Sequence, residues 1–328
     1  MAWHLVRFAG KEAIHWGRLV SSPPSTPEES VEVEVLEADD HSLRTLIGRV
    51  EQYRLAGKPG RIERVSASQL LCPLTDDISL LCQGLNYTDH AAEAQHSERR
   101  ANLIFSKASS SLTGAFAPII RPADVQLLDY EVEIGLVMRR SIRQRVEVTE
   151  QNIGDYIAGV VLCNDVSARD VMFGASFLQW FQGKSYRTFC PAGPSIYVLD
   201  RGEVNEALQS LELKLWLNGE LRQSAQTNQL IYRPPETLSF ISTFANVQAG
   251  DLLLTGTPGG VTAPATPKLV EILKTHLFAD AVRRDELRKE MSAYRPFMKE
   301  GDVLRLSLTD IRSGTLLGSH QNRISMAG

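Results

Sequence analysis

Apolar and polar residues alternate with a period of two through many short runs of this chain, the pattern of strands that bury one face. HLVRFAG and IHWGRLV read as two strands joined by a turn at Gly10–Lys11, and VEVEVLEA alternates aliphatic with acidic residues. Between them SSPPSTPEES has the proline and serine content of a loop. The stretch SLRTLIGRVEQYRLAG changes to helical spacing and stops at Gly57. These elements predict a small N-terminal α/β domain over residues 1–70, followed by a catalytic domain over 71–328.

The second part opens on a buried apolar run, ISLLCQGLNY, and passes into the charged, helical DHAAEAQHSERRAN. Strand patterns follow in LIFSKA, DYEVEIGLVM, DYIAGVVLCND, SIYVLD, LELKLWLNGE, DLLLTGT and DVLRLSLTD. Between Pro264 and Pro296, KLVEILKTHLFADAVRRDELRKEMSAY places Leu, Ile, Val and Met at helical spacing among dense charges. This predicts one or two helices inserted over about residues 262–296. The class expected is α+β and strand-rich.

Composition narrows the function classes. A formal net charge of -4 over 328 residues gives no reason to expect a nucleic-acid partner. The N-terminus MAWHLVRFAGKEAIHWG lacks the apolar core of a signal peptide, and no run of eighteen apolar residues occurs, so no membrane partner is expected. Cys72, Cys82, Cys163 and Cys190 form no CxxC pair and have no zinc spacing. A cytoplasmic, reducing location is the expectation.

Candidate chemistry centres on carboxylates. Glu131 and Glu133 stand at i and i+2 in DYEVEIGLVM, so a strand points both to one face. Alone, the pair reads first as a solvent-exposed strand face. Asp165 closes the apolar run IAGVVLCN, placed either to cap the SARD turn or to serve as a third oxygen ligand. Carboxylates that converge without a cation repel one another. A divalent ion removes that repulsion, and all-oxygen ligation favours Mg2+, Mn2+ or Ca2+ over zinc or copper. His90 and Glu93, three apart, share a helix face; the pair is either a surface pair or an oriented general base. The turn TGTPGGV suits a substrate carboxylate, with Thr257 as the contact, but is equally an ordinary turn, and it is no nucleotide P-loop. Tyr87 either lines the pocket or belongs to the core.

The segments GLNYTDHAAE, FSKASSSLTG, DYEVEIGLVM, AGVVLCNDVSARD, GKSYRTFCPAGP and LLLTGTPGGV occur in this order. Together they resemble the successive motifs of the fumarylacetoacetate hydrolase family, from about residue 82 to 261 and again near FMKEGDVLRLSL. The resemblance implies a mixed β-roll catalytic domain and a homodimer. It implies that Glu131, Glu133 and Asp165 bind Mg2+ or Mn2+, and that His90 and Glu93 form a water-activating dyad on a lid helix. His96 and Glu98 fit the motif less well. It further implies that Lys184 stabilises oxyanion charge and that Arg169 lies near the substrate or supports Asp165. The expected activity is metal-dependent cleavage of the C–C bond of a small 2,4-dioxo acid of the acylpyruvate or fumarylpyruvate type, as in aromatic catabolism. Decarboxylation of oxaloacetate-like acids, and isomerisation or hydration of oxo acids, are the alternatives at the same site. Two features depart from the family pattern. Met172 stands where many members carry glutamine, leaving Gln179 or Gln182 as substitutes. The insertion at 262–296 is expected either to cover the site or to extend a subunit interface.

Overall fold

A computed structural model describes residues 2–38, 41–55, 60–88, 102–263 and 266–327. The predicted strand-rich α+β class is what it shows. Among the described residues, one large sheet contains twelve strands. Its main path runs Ile62–Ser66, Ser30–Val35, Ile14–Leu19, Trp3–Ala9, Cys190–Val198, Ile157–Asn164, Val132–Met138, Leu252–Leu254, Leu80–Gly84 and Leu103–Lys107. The N-terminal strands thus continue the sheet of the later region: Trp3–Ala9 pairs antiparallel with Cys190–Val198, Leu5 opposite Ile196. A second sheet of five strands runs Glu220–Gln226, Leu211–Leu217, Val303–Asp310, Thr315–Met326 and Ile119–Arg121.

The two central strands of the large sheet, Val132–Met138 and Ile157–Asn164, are buried along their whole length. On one side Ile134, Leu136 and Leu162 join Leu213, Leu215, Leu306 and Leu308 of the second sheet in one core. On the other, Val137, Val161, Leu252 and Leu254 pack with Leu5, Leu43, Leu46 and Ile47. A strand covered on both faces must be apolar nearly throughout. Any charged group at its end is therefore carried into the interior, which is how this fold places the glutamates.

Three local outcomes differ from the pattern-based expectation. The helix expected over 42–57 is two short helices, Leu43–Ile47 and Val50–Leu55; Gly48 ends the first, its N–H donating to Leu46. Strand Cys190–Val198 begins five residues before the predicted SIYVLD, because Pro191 and Pro194 hide its start. Strand Thr315–Met326 carries few aliphatics, yet its polar Ser319, His320 and Asn322 are buried. The insertion is helical as expected, as Pro267–Thr275 and Asp280–Ser292. Thr266 caps the first of these by accepting from the Leu269 N–H at 3.0 Å, and Pro267 follows at the first helical position. Among the described residues, no helix is long and apolar enough to cross a membrane.

Candidate metal centre

Glu131 ends the short connection between Leu128–Asp129 and Val132–Met138, and Glu133 is the second residue of the latter strand. Asp165 follows the neighbouring antiparallel strand, whose Asn164 lies opposite Val132. The Asp165 N–H donates to the Glu131 carbonyl at 2.8 Å, and the Glu131 N–H donates to Asn164 Oδ1 at 3.0 Å. These bonds fix the two strand ends against each other, so the register brings the three carboxylates together. Each offers one oxygen within 4.8 Å of the others, and all three residues are buried.

Among the described residues, three cations surround the group. Lys184, at the end of helix Trp180–Lys184, directs Nζ to Glu131 Oε2 at 2.9 Å, Asp165 Oδ2 at 2.6 Å and Ser167 Oγ at 2.8 Å. Lys107, at the end of strand Leu103–Lys107, donates to Asp165 Oδ1 and to the Phe189 carbonyl, the latter at 2.8 Å. Arg169 donates through Nε to Asp129 Oδ2 at 2.9 Å, and its Nη2 lies 2.7 Å from Glu131 Oε1. Burial works against both ammonium charges, but the adjoining carboxylates, Asp165 above all, outweigh it and hold the two lysines protonated, above the usual lysine range.

Glu133 is different. It accepts only the Gly256 N–H, at 2.8 Å, among the bonds resolved to it. Burial, then the charges of Asp165 and Glu131, push its carboxyl well above the ordinary carboxylate range. The phenol of Tyr87 is fully buried and makes no hydrogen bond among the described residues; burial, and next Glu133, raise it too. A buried carboxyl under like-charge pressure beside an orphaned hydroxyl is the setting a divalent cation with its water would relieve. The residues present therefore fit a hard cation bound through oxygen.

The remaining predicted residues fall as follows. The Thr257 hydroxyl donates to the Val132 carbonyl at 3.1 Å and accepts from Gln223 Nε2 at 2.8 Å, so here it braces the glutamate strand. Arg169 reaches Glu131 and Asp129. Met172 is buried against Gly183, where an added Cβ would lie 2.3 Å from its Cγ. Gln179 donates to the Ser176 carbonyl, and Gln182 lies on the helix Trp180–Lys184. His90 and Glu93 lie outside the described residues, as do His96 and Glu98.

Lys107, Asp129, Ser167 and Gln223 complete the site without having been singled out in the sequence. Lys107 lies within FSKASSSLTG, and a lysine at the buried end of a strand was the available signal. Asp129 receives the N–H groups of Thr262 at 2.9 Å and Ala263 at 3.1 Å, contacts more than 130 positions away. No local pattern announces them.

A strand-rich fold with a buried carboxylate cluster at a strand end is now explicit, and comparison with known proteins agrees with the fold. Residues 79–325 match the family described as fumarylacetoacetate (FAA) hydrolase C-terminal, and the chain belongs to that family. It is 36% identical over 191 residues to a mitochondrial oxaloacetate tautomerase, FAHD2B, of Bos taurus, covering 58% of this chain and 59% of that one. The match thus spans little more than half the length of such relatives. It is 34% identical over 239 residues to the fumarylacetoacetate hydrolase domain-containing protein 2 homolog of Dictyostelium discoideum, covering 71% of this chain and 69% of that one. Among solved structures, fumarylacetoacetate hydrolase from Exiguobacterium antarcticum superposes with a TM-score of 0.71 at 26% identity, over 99% of this chain and 100% of the other. A probable 2-hydroxyhepta-2,4-diene-1,7-dioate isomerase from Mycobacterium abscessus shares the fold, with a TM-score of 0.72 at 24% identity over the whole of both chains.

Proposed function

We propose that this protein is a divalent-metal enzyme that interconverts the keto and enol forms of an oxaloacetate-type 2-oxo acid. The observation that carries this reading is the convergence of Glu131, Glu133 and Asp165 in the interior with Lys184 held protonated among them. The curated relatives named as oxaloacetate tautomerases support the choice of reaction. Glu131, Glu133 and Asp165 would hold Mg2+ or Mn2+, with Ca2+ compatible. Such an ion acts as a Lewis acid toward the 2-oxo group and its carboxylate, worth several kcal/mol toward the enolate.

The chain's own groups divide the proton chemistry. Enolisation removes a proton from C3 and delivers one to the C2 oxygen. Lys184 is protonated, so it donates and cannot be the acceptor at C3. An ammonium has three N–H bonds, and all three are engaged, by Glu131, Asp165 and Ser167. Donation to a substrate oxygen exchanges one of them. Ser167 is the neutral partner and the weakest of the three, so its bond is the one to yield. Arg169 stays locked to Asp129 and Glu131 and orients Glu131. His90, oriented by Glu93 and read from the sequence as a water-activating base, would in this reading accept the C3 proton instead.

A second reading is hydrolysis of the C–C bond of a 2,4-dioxo acid, favoured by the His90–Glu93 spacing, which suits activation of water at C4. Loss of the ultraviolet enol band, with product analysis, separates the two. Oxaloacetate enol and a panel of acylpyruvates would be followed with Mg2+, Mn2+ or EDTA. Metal-dependent approach to keto–enol equilibrium, without carboxylic acid release, fits tautomerisation. Pyruvate plus a free acid from an acylpyruvate would replace it with hydrolysis, and pyruvate plus carbon dioxide from oxaloacetate with decarboxylation. No metal-dependent change on any substrate would refute the proposal.

A further inference from the structure

We infer that the 262–296 insertion is a buttress for the Arg169 arm of the acid cluster, with Arg288 as its positioning residue. Arg169 lies on a four-residue helix, Arg169–Met172, too short to hold a long side chain by itself. Its guanidinium is nonetheless fixed between Asp129 and Glu131. Asp129, and Asp170 next to Arg169 in the chain, are both held from the insertion. Its first residues, Thr262 and Ala263, donate their N–H groups to the two oxygens of Asp129. From the second helix, Arg288 directs Nε and Nη2 to Asp170 Oδ2 at 3.1 and 2.9 Å, and Nη2 also meets the Asp124 carbonyl at 2.9 Å. Asp170 follows Arg169 in the chain and is 1% exposed.

Packing runs the same way. Leu269, Ile272, Leu287 and Met291 close around Leu127, whose carbonyl accepts the Arg169 N–H at 2.9 Å. The loop leading to the Lys184 helix is pinned as well. Ser176 donates to Asp280 Oδ1 at 2.5 Å, and the Phe177 and Phe278 rings meet edge to face with centroids 5.8 Å apart. Phe177 and Leu178 both adopt positive φ, of 61° and 51°, a conformation that side-chain-bearing residues keep only when their surroundings impose it. The insertion thus grips the segments that deliver Arg169 and Lys184.

The test compares full-length Arg288→Met, the charge-balanced pair Arg288→Met with Asp170→Asn, and Arg288→Lys. Two readouts are taken: backbone amide exchange, and binding of Mn2+ alone by calorimetry. The second rests on the metal reading of the cluster; the first does not. Loss of the latch should speed exchange at residues 169–173 by about tenfold and leave strand Val132–Met138 unchanged. Arg169 is an outer partner of Glu131, and such partners typically govern metal affinity about 10–100-fold, so with Arg169 loosened Mn2+ binding should weaken by about tenfold, with partial recovery in Arg288→Lys. Lys268→Ala, an exposed change in the same insertion, should alter neither. If Arg288→Met fails to fold, the charge-balanced pair decides, since it leaves no unpaired buried carboxylate. Wild-type exchange at 169–173 in a folded latch variant would overturn the buttress. So would weakened Mn2+ binding that is equal in Lys268→Ala. Absence of Mn2+ binding by the wild type would instead refute the metal reading, and the exchange result alone would then decide the buttress.

Discussion

Replacing Lys107 by Met removes a charge that has no access to solvent. The Lys107 and Asp165 side chains are both 0% exposed, and the ammonium also bonds the Phe189 carbonyl. Methionine is unbranched and of comparable length, so the main loss is electrostatic. Phe189 keeps a second donor, the Val166 N–H at 3.0 Å, and is not orphaned. Asp165 keeps Lys184 on Oδ2 but has Oδ1 stripped. Removing one partner of a buried ion pair costs about 3–5 kcal/mol, most of it from the charge left behind. At about 2–3 °C per kcal/mol for a chain this long, Tm should fall by roughly 6–15 °C in EDTA. Adding Asp165→Asn should recover much of that loss, because the stranded charge is gone. The assay is thermal unfolding of the four members of this double-mutant cycle. A fall below about 2 °C for Lys107→Met, or losses that simply add in the double variant, would refute the reasoning. Mn2+ should raise Tm more in Lys107→Met than in the wild type, since a cation then compensates the same carboxylate.

Other outcomes follow from the same geometry. His320 is buried with its Nε2 against the Gly193 carbonyl, and burial pulls the imidazole down to about 4 despite that bond. The unfolded chain then takes up a proton that the folded one refuses, so stability is full above pH 6.5 and falls by roughly 3 kcal/mol as pH drops to 4. His320→Gln should flatten that acid limb in denaturant titrations, and an unchanged slope would reject the assignment. Gly256 has φ +91°, and a Cβ there would lie 3.0 Å from Asn86 Cβ and from the Gln83 carbonyl. Gly256→Ala should cost about 1–2 kcal/mol and lower Tm by about 2–6 °C; an unshifted Tm would show that the turn adapts freely.

The carboxylate cluster was readable from the sequence in a particular way. Order among six motifs singled out Glu131, Glu133 and Asp165, whereas strand alternation alone left the two glutamates on an exposed face. Their burial comes from two cores closing on both sides of Val132–Met138, a tertiary fact with no local signature. Lys184 was legible for the same reason as the glutamates. Lys107 was not, because nothing in LIFSKA marks the lysine as the one fully buried side chain of strand Leu103–Lys107. The partners that hold these groups, Asp129 through Thr262 and Asp170 through Arg288, join residues more than a hundred positions apart. Polar burial also hid strand Thr315–Met326, whose His320 and Asn322 satisfy backbone carbonyls inside the fold.

The central claim is that the buried carboxylates bind one divalent cation. Calorimetric titration of metal-stripped protein with Mn2+, beside Asp165→Asn, tests it most directly. The account predicts saturable binding of one ion per chain in the wild type and its loss in the variant. No saturable binding in the wild type, or equal binding in the variant, would contradict it.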